Sequence, residues 1–67
     1  MKTEAIQISY SVEVDGLTVE TMTINEAHEY QIRKGQTVLF QSNEGYGQTG
    51  IALRDGLIKA TDPLWTF

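Results

Sequence analysis

Apolar and polar residues alternate without a break from Ile6 to Val14. Ile6, Ile8, Tyr10, Val12 and Val14 take one side, and Gln7, Ser9, Ser11 and Glu13 take the other. A period of two marks a strand with one buried face, and no helix gathers those five side chains on one stripe. Asp15-Gly16 follows at once. Asp-Gly between alternating runs suits a two-residue type I′ hairpin turn, so the spacing predicts Val14 facing Leu17 and Val12 facing Val19. Beyond Val19 the period slips, and Met22 and Ile24 fall on the opposite face. Either a β-bulge near Glu20-Thr21 turns them inward, or this strand is covered on both faces. The bulge is preferred, because it curves a sheet as small barrels require.

Asn25-Glu26-Ala27-His28-Glu29 reads as one helical turn capped by Asn25, or as a loop. The apolar period returns at Tyr30 and Ile32. A three-residue loop Arg33-Lys34-Gly35, with glycine last, predicts a second hairpin with Tyr30 opposite Val38 and His28 opposite Phe40. Residues 42–50 hold three glycines and no aliphatic side chain, which marks a loop. Asp55-Gly56 then predicts a third hairpin, pairing Leu53 with Ile58 and Ile51 with Ala60. Pro63 removes a ladder donor, so the tail Leu64-Trp65-Thr66-Phe67 is expected as an edge segment or a lid. The Asp-Gly-Leu triplet at 15–17 and again at 55–57 is taken as repeated turn chemistry. The predicted fold is all-β in a single domain, 1-67. It is a small antiparallel barrel or compact two-layer sandwich of three successive hairpins, with at most one short helical turn near 25-29.

Composition narrows the function classes. The chain has 67 residues with no Cys and one His. A disulfide framework, a thiolate-ligated metal and a thiol nucleophile are therefore excluded. No apolar run exceeds three residues (Val38-Leu39-Phe40 is one), and Met1-Lys2-Thr3-Glu4-Ala5 lacks the apolar core of a secretory signal. A cytoplasmic protein without a membrane span is expected. The formal net charge is -4, and it is uneven. Residues 1–32 carry Glu4, Glu13, Asp15, Glu20, Glu26 and Glu29 against Lys2, whereas residues 33–67 are nearly balanced. An acidic half repels phosphate backbones and suits a basic protein surface. In size and charge the chain compares with small inhibitors encoded by phages and mobile elements.

Candidate chemistry is sparse. His28 has an unperturbed pKa near neutrality, but no Ser, Thr or Glu spacing makes a triad with it. Its simplest role is a packed or hydrogen-bonded one. The loop Asn43-Glu44-Gly45-Tyr46-Gly47-Gln48-Thr49-Gly50 lacks the Lys and Ser/Thr of a phosphate-binding loop, since Ile51-Ala52 follow the last glycine. Glu26 and Glu29 lack the ligand series of a calcium loop. No catalytic, cofactor or metal site is expected. The loop suits recognition instead: Tyr46 between two glycines can swing out as an interface anchor, or rest as a half-buried turn residue. Trp65 and Phe67 either plug one end of the fold or dock on another chain. The predicted function is a non-enzymatic protein-binding module: an adaptor, a small subunit or an inhibitor. Its contact residues would be Glu13, Glu20, Asn43, Tyr46, Gln48, Trp65 and Phe67. Glu13 and Glu20 are expected to point outward, possible partners being a basic protein surface or a second copy in a homodimer. The alternative is an oligonucleotide- or ligand-binding small barrel in which Tyr10, Tyr30 and Phe40 stack on bases.

Overall fold

The alternating run becomes a strand, and Asp15-Gly16 turns it. In the computed structural model, which describes residues 6–65, β1 (Ile6–Val14) pairs antiparallel with β2 (Leu17–Ile24), and the register sets Val14 against Leu17 and Val12 against Val19. Asp15 and Gly16 both take positive φ, 51° and 80°, as a type I′ turn requires. β3 (Ala27–Lys34) and β4 (Thr37–Gln41) continue the meander, giving one four-stranded sheet in the order β1-β2-β3-β4. A helix, α1 (Thr49–Ala60), lies on one face of β2 and β3.

Three expectations are corrected, and the choice left open at 25–29 is resolved. The sheet is open and forms neither a closed barrel nor a sandwich of two sheets; its second layer is α1. The third hairpin over 51–60 is replaced by that helix, with Asp55-Gly56 in its interior. No helical turn forms at 25–29. Asn25 and Glu26 close the β2–β3 hairpin, with φ of 51° and 70°. The β3–β4 turn is Gly35-Gln36, because Lys34 pairs with Thr37. A bulge at Leu39 then sets Phe40 opposite Ile32 and leaves Val38 opposite Arg33 on the outer face.

The slip seen at Met22 has its bulge on the other strand. Ile8 pairs with Met22 and Tyr10 with Thr21, so Ser9 is the extra residue. The Thr21 hydroxyl fills the gap by accepting a hydrogen bond from the Tyr10 amide at 3.1 Å. The bulge does not turn Met22 and Ile24 inward. It moves Ile8 to the outer face beside Met22. On the covered face, Leu17, Val19, Tyr30 and Ile32 are buried with Ala52 and Ala60 of α1.

The helix is seated through its smallest residues. Ala52, Gly56 and Ala60 recur every four positions and are its buried line. A Cβ on Gly56 would stand 2.7 Å from Val19 Cγ1 and 3.0 Å from Tyr30 Cδ1. Glycine is thus required by proximity to the sheet, against its poor helix propensity. Thr61 ends the helix by donating its hydroxyl to the Leu57 carbonyl at 2.8 Å.

Two stability predictions follow from these positions. Gly56→Ala gains up to about 1 kcal/mol of helix propensity but overpacks the seat by about 1–3 kcal/mol. Thermal unfolding should show a lower Tm, and combining it with Val19→Ala should cost less than the sum of the two single losses; a Tm at or above the parent's for Gly56→Ala would show that the seat has room. Glu26→Gly removes an L residue from the left-handed region and should stabilise by about 1 kcal/mol. An unchanged denaturant midpoint would refute strain at that turn.

Candidate functional site

The outer face of the sheet carries a continuous polar strip. Glu20 of β2 lies opposite Gln31 of β3, with Arg33 two residues further along β3 on the same face. The Arg33 guanidinium donates to Glu20 through Nε at 3.0 Å and Nη2 at 2.9 Å. Gln31 Nε2 adds a third bond at 2.8 Å, and Gln41 Nε2 donates to Gln31 Oε1 at 3.2 Å. Arg33 also reaches the Gly35 carbonyl. The two-pronged Arg–carboxylate contact fixes both partners. Hydrogen bonds from Arg33 hold the Glu20 carboxyl below its usual range, against the opposing cost of burial.

This corrects one candidate. Glu20 does lie on the face away from α1, but it is only 6% exposed, and its oxygens are committed to Arg33 and Gln31. It is not available to a partner. Glu13 is different. It is exposed on the same face at the end of β1, next to the exposed Asp15 of the turn.

The opposite end of the sheet is built by the glycine-rich loop. Ser42 continues β4: its amide donates to the Tyr30 carbonyl at 2.9 Å, and its hydroxyl accepts from the Tyr30 amide at 3.1 Å. Asn43 then takes a positive φ of 55°. Tyr46 returns to β3, where its amide donates to the His28 carbonyl at 2.8 Å. Its ring is half-buried, 6.1 Å from that of Tyr30. Burial and the neighbouring Asp55 carboxylate push its hydroxyl up to about 12. The ring thus rests on the core. Asn43 and Gln48 are exposed beside it, Gln48 as the residue preceding α1.

His28 ties this end together. Its Nδ1 lies 2.9 Å from the Thr49 hydroxyl of α1 and 3.2 Å from the Thr23 hydroxyl of β2. The helix start is thereby fixed to the sheet. Trp65 folds back onto β4, edge-on to Phe40 at 5.4 Å, and Lys59 Nζ sits 4.7 Å above the Phe40 ring. Phe67 lies outside the described residues.

The seven candidates therefore do not converge. Glu13 sits level with Thr18 on β2, and Tyr46 is level with His28 and Thr23. Five residues of strand separate them, roughly 17 Å. Arg33, the partner that removes Glu20 from the surface, is placed by the sequence in the hairpin loop Arg33-Lys34-Gly35. Among the described residues no group of three or more His, Asp or Glu gathers as for a metal ion, and no helix is long and apolar enough to cross a membrane. No protein-family model matches the chain, and comparison with curated proteins and with solved structures finds no match.

The Glu20–Arg33 pair yields a pH prediction. The carboxyl's pKa is lower in the folded chain than its ordinary value of 4.5. The folded state therefore holds fewer protons than the unfolded one in this range. The pair's stabilisation is complete above 4.5 and is lost as pH falls through the lower, folded value. Denaturant midpoints measured between neutral and strongly acid pH should fall for the parent and fall less for Glu20→Gln. Parallel curves for the two chains would show that this pair does not carry the acid sensitivity.

Proposed function

We propose that the protein is a non-enzymatic protein-binding module, acting as an adaptor, small subunit or inhibitor, whose acidic β1–β2 tip meets a basic surface on its partner. The observation that supports this is the placement of Glu13 and Asp15. Both are exposed at the β1–β2 tip, while Glu20 behind them is paired with Arg33. Two exposed carboxylates at one tip steer an oppositely charged surface toward it and raise the on-rate.

The oligonucleotide reading draws less support. Tyr30 is only 5% exposed under α1, and Phe40 lies beneath Trp65 and Lys59. Of the three rings offered for stacking, Tyr10 is the exposed one.

The test uses the full chain, immobilised, against nuclease-treated lysate of its source cells. A discrete protein should be retained, and then identified by mass spectrometry. Glu13→Gln should leave the fold intact, since exposed substitutions usually change stability by about 0.5 kcal/mol or less. It should slow association with the captured protein and flatten its salt dependence. Equal association rates and salt slopes for parent and variant would reduce the tip to a solvated turn. Binding of single-stranded DNA that weakens steeply with salt would favour the alternative.

A further inference from the structure

The two edges of the sheet are not equivalent. β4 is five residues long and bulged at Leu39, and the chain beyond it bonds again to β3 through Ser42 and Tyr46. β1 presents nine residues with no Pro, Lys or Arg, and Tyr10 and Ile8 are 53% and 50% exposed. Among the described residues its blunting devices are the bulge at Ser9 and the charge of Glu13, which leave residues 10–14 as a regular edge whose outward backbone groups can template pairing with another strand.

The phase of those groups can be read. Val14 and Leu17 flank a two-residue turn, so they form a hydrogen-bonded pair, and such pairs alternate along the ladder. Val14, Val12 and Tyr10 therefore direct their backbone toward β2. The Tyr10 amide is directed to β2 as well, where it meets the Thr21 hydroxyl. Ser11 and Glu13 direct theirs outward. The bulge at Ser9 limits the regular stretch to residues 10–14, with Tyr10, Val12 and Val14 on the helix side and Ser11 and Glu13 on the outer side.

We infer that β1 pairs antiparallel with β1 of a second copy of this chain, about a two-fold axis at Val12. Ser11 then lies opposite the partner's Glu13, each pair exchanging two backbone hydrogen bonds. The two Val12 side chains meet at the axis, and Tyr10 covers the partner's Val14. Competing registers fail on chemistry visible in the strand. An axis at Tyr10 sets Ile8 opposite the partner's Val12, which the bulge places on the other face. An axis at Glu13 sets two carboxylates directly opposite, which is destabilising. An axis at Ser11 sets Glu13 against the bulged Ser9 and keeps only residues 10–12 in phase. The chosen register uses the whole regular stretch and keeps the two helices on one side of an eight-stranded sheet. Ten paired residues make a small interface, of the kind below about 1,200 Å² that forms reversibly.

The chain has no cysteine, so single cysteines report the register. Val12→Cys places two thiols across the axis in a non-hydrogen-bonded pair, with Cα atoms about 4.5 Å apart, within disulfide reach. Mild oxidation should convert it to a covalent dimer, while Val14→Cys, which faces the partner's Tyr10, forms no interchain disulfide. Sedimentation equilibrium of the parent from about 10 µM to 1 mM should approach twice the 7.5 kDa monomer mass. Ser11→Pro deletes one outward amide, which an edge strand tolerates, and should hold the chain monomeric. A parent that is monomeric throughout overturns the proposal. So does Val14→Cys crosslinking as fast as Val12→Cys, or a dimer indifferent to Ser11→Pro. The chain alone is used, so the result is independent of any captured partner.

Discussion

The contact of Gly56 with Val19 and Tyr30 is the constraint on which the remaining packing depends. A helix whose sheet-facing line is Ala52-Gly56-Ala60 lies lower than one carrying leucines there. That closeness makes a thin second layer sufficient. Val19 and Ile32 reach full burial in a chain of 67 residues, although chains of this size hide only about 60% of their extended surface. The same closeness brings Leu53 and Leu57 down onto the flanks of the cluster. Tyr30, held beneath the helix, then becomes the platform for Phe40 at 5.8 Å and Tyr46 at 6.1 Å. Trp65 closes over Phe40 in turn.

What could be read in advance divides along the range of the forces involved. The β1–β2 hairpin was legible because alternation and an Asp-Gly turn are both local. The identical triplet Asp55-Gly56-Leu57 carried the same local message and folds as helix interior. Its glycine is selected by Val19 and Tyr30, which are far away in sequence, and tertiary packing overrides turn chemistry there. The spacing of Ala52, Gly56 and Ala60 was the available signal, with small residues hiding a helical period that larger ones would have displayed. The Asn25-Glu26 turn was obscured in a different way. Glu26 occupies a left-handed position normally given to glycine, so the pair did not resemble a hairpin turn.

The candidate surface was legible in charge and not in pairing. Alternation placed Glu13 and Glu20 on one face, and both lie there. Their fates differ because of Arg33, which reaches Glu20 across β2–β3 from a position the sequence reads as an exposed turn. Tyr46 illustrates the converse. Its flanking glycines suggested freedom, yet backbone bonds to His28 and the ring of Tyr30 hold it as an extension of the sheet. The flanking glycines are not demanded by space there: a Cβ at Gly45 would make an ordinary contact, 3.6 Å from that of Ala27, and one at Gly47 would meet nothing within 4 Å.

The bulge at Ser9 joins these observations. Without it, Ile8 would follow Tyr10, Val12 and Val14 onto the helix side, at the rim of the sheet. With it, Ile8 meets Met22 on the outer face, and that face gains an apolar corner beside its polar strip. Thr21, fully buried, stabilises the change by offering its hydroxyl to the displaced Tyr10 amide, so the irregular backbone leaves no unpaired donor at that point. The threonine thus partners the backbone at the point where the regular stretch of β1 begins. The strand's tyrosine stands at that boundary, the first residue of the stretch that another strand can follow.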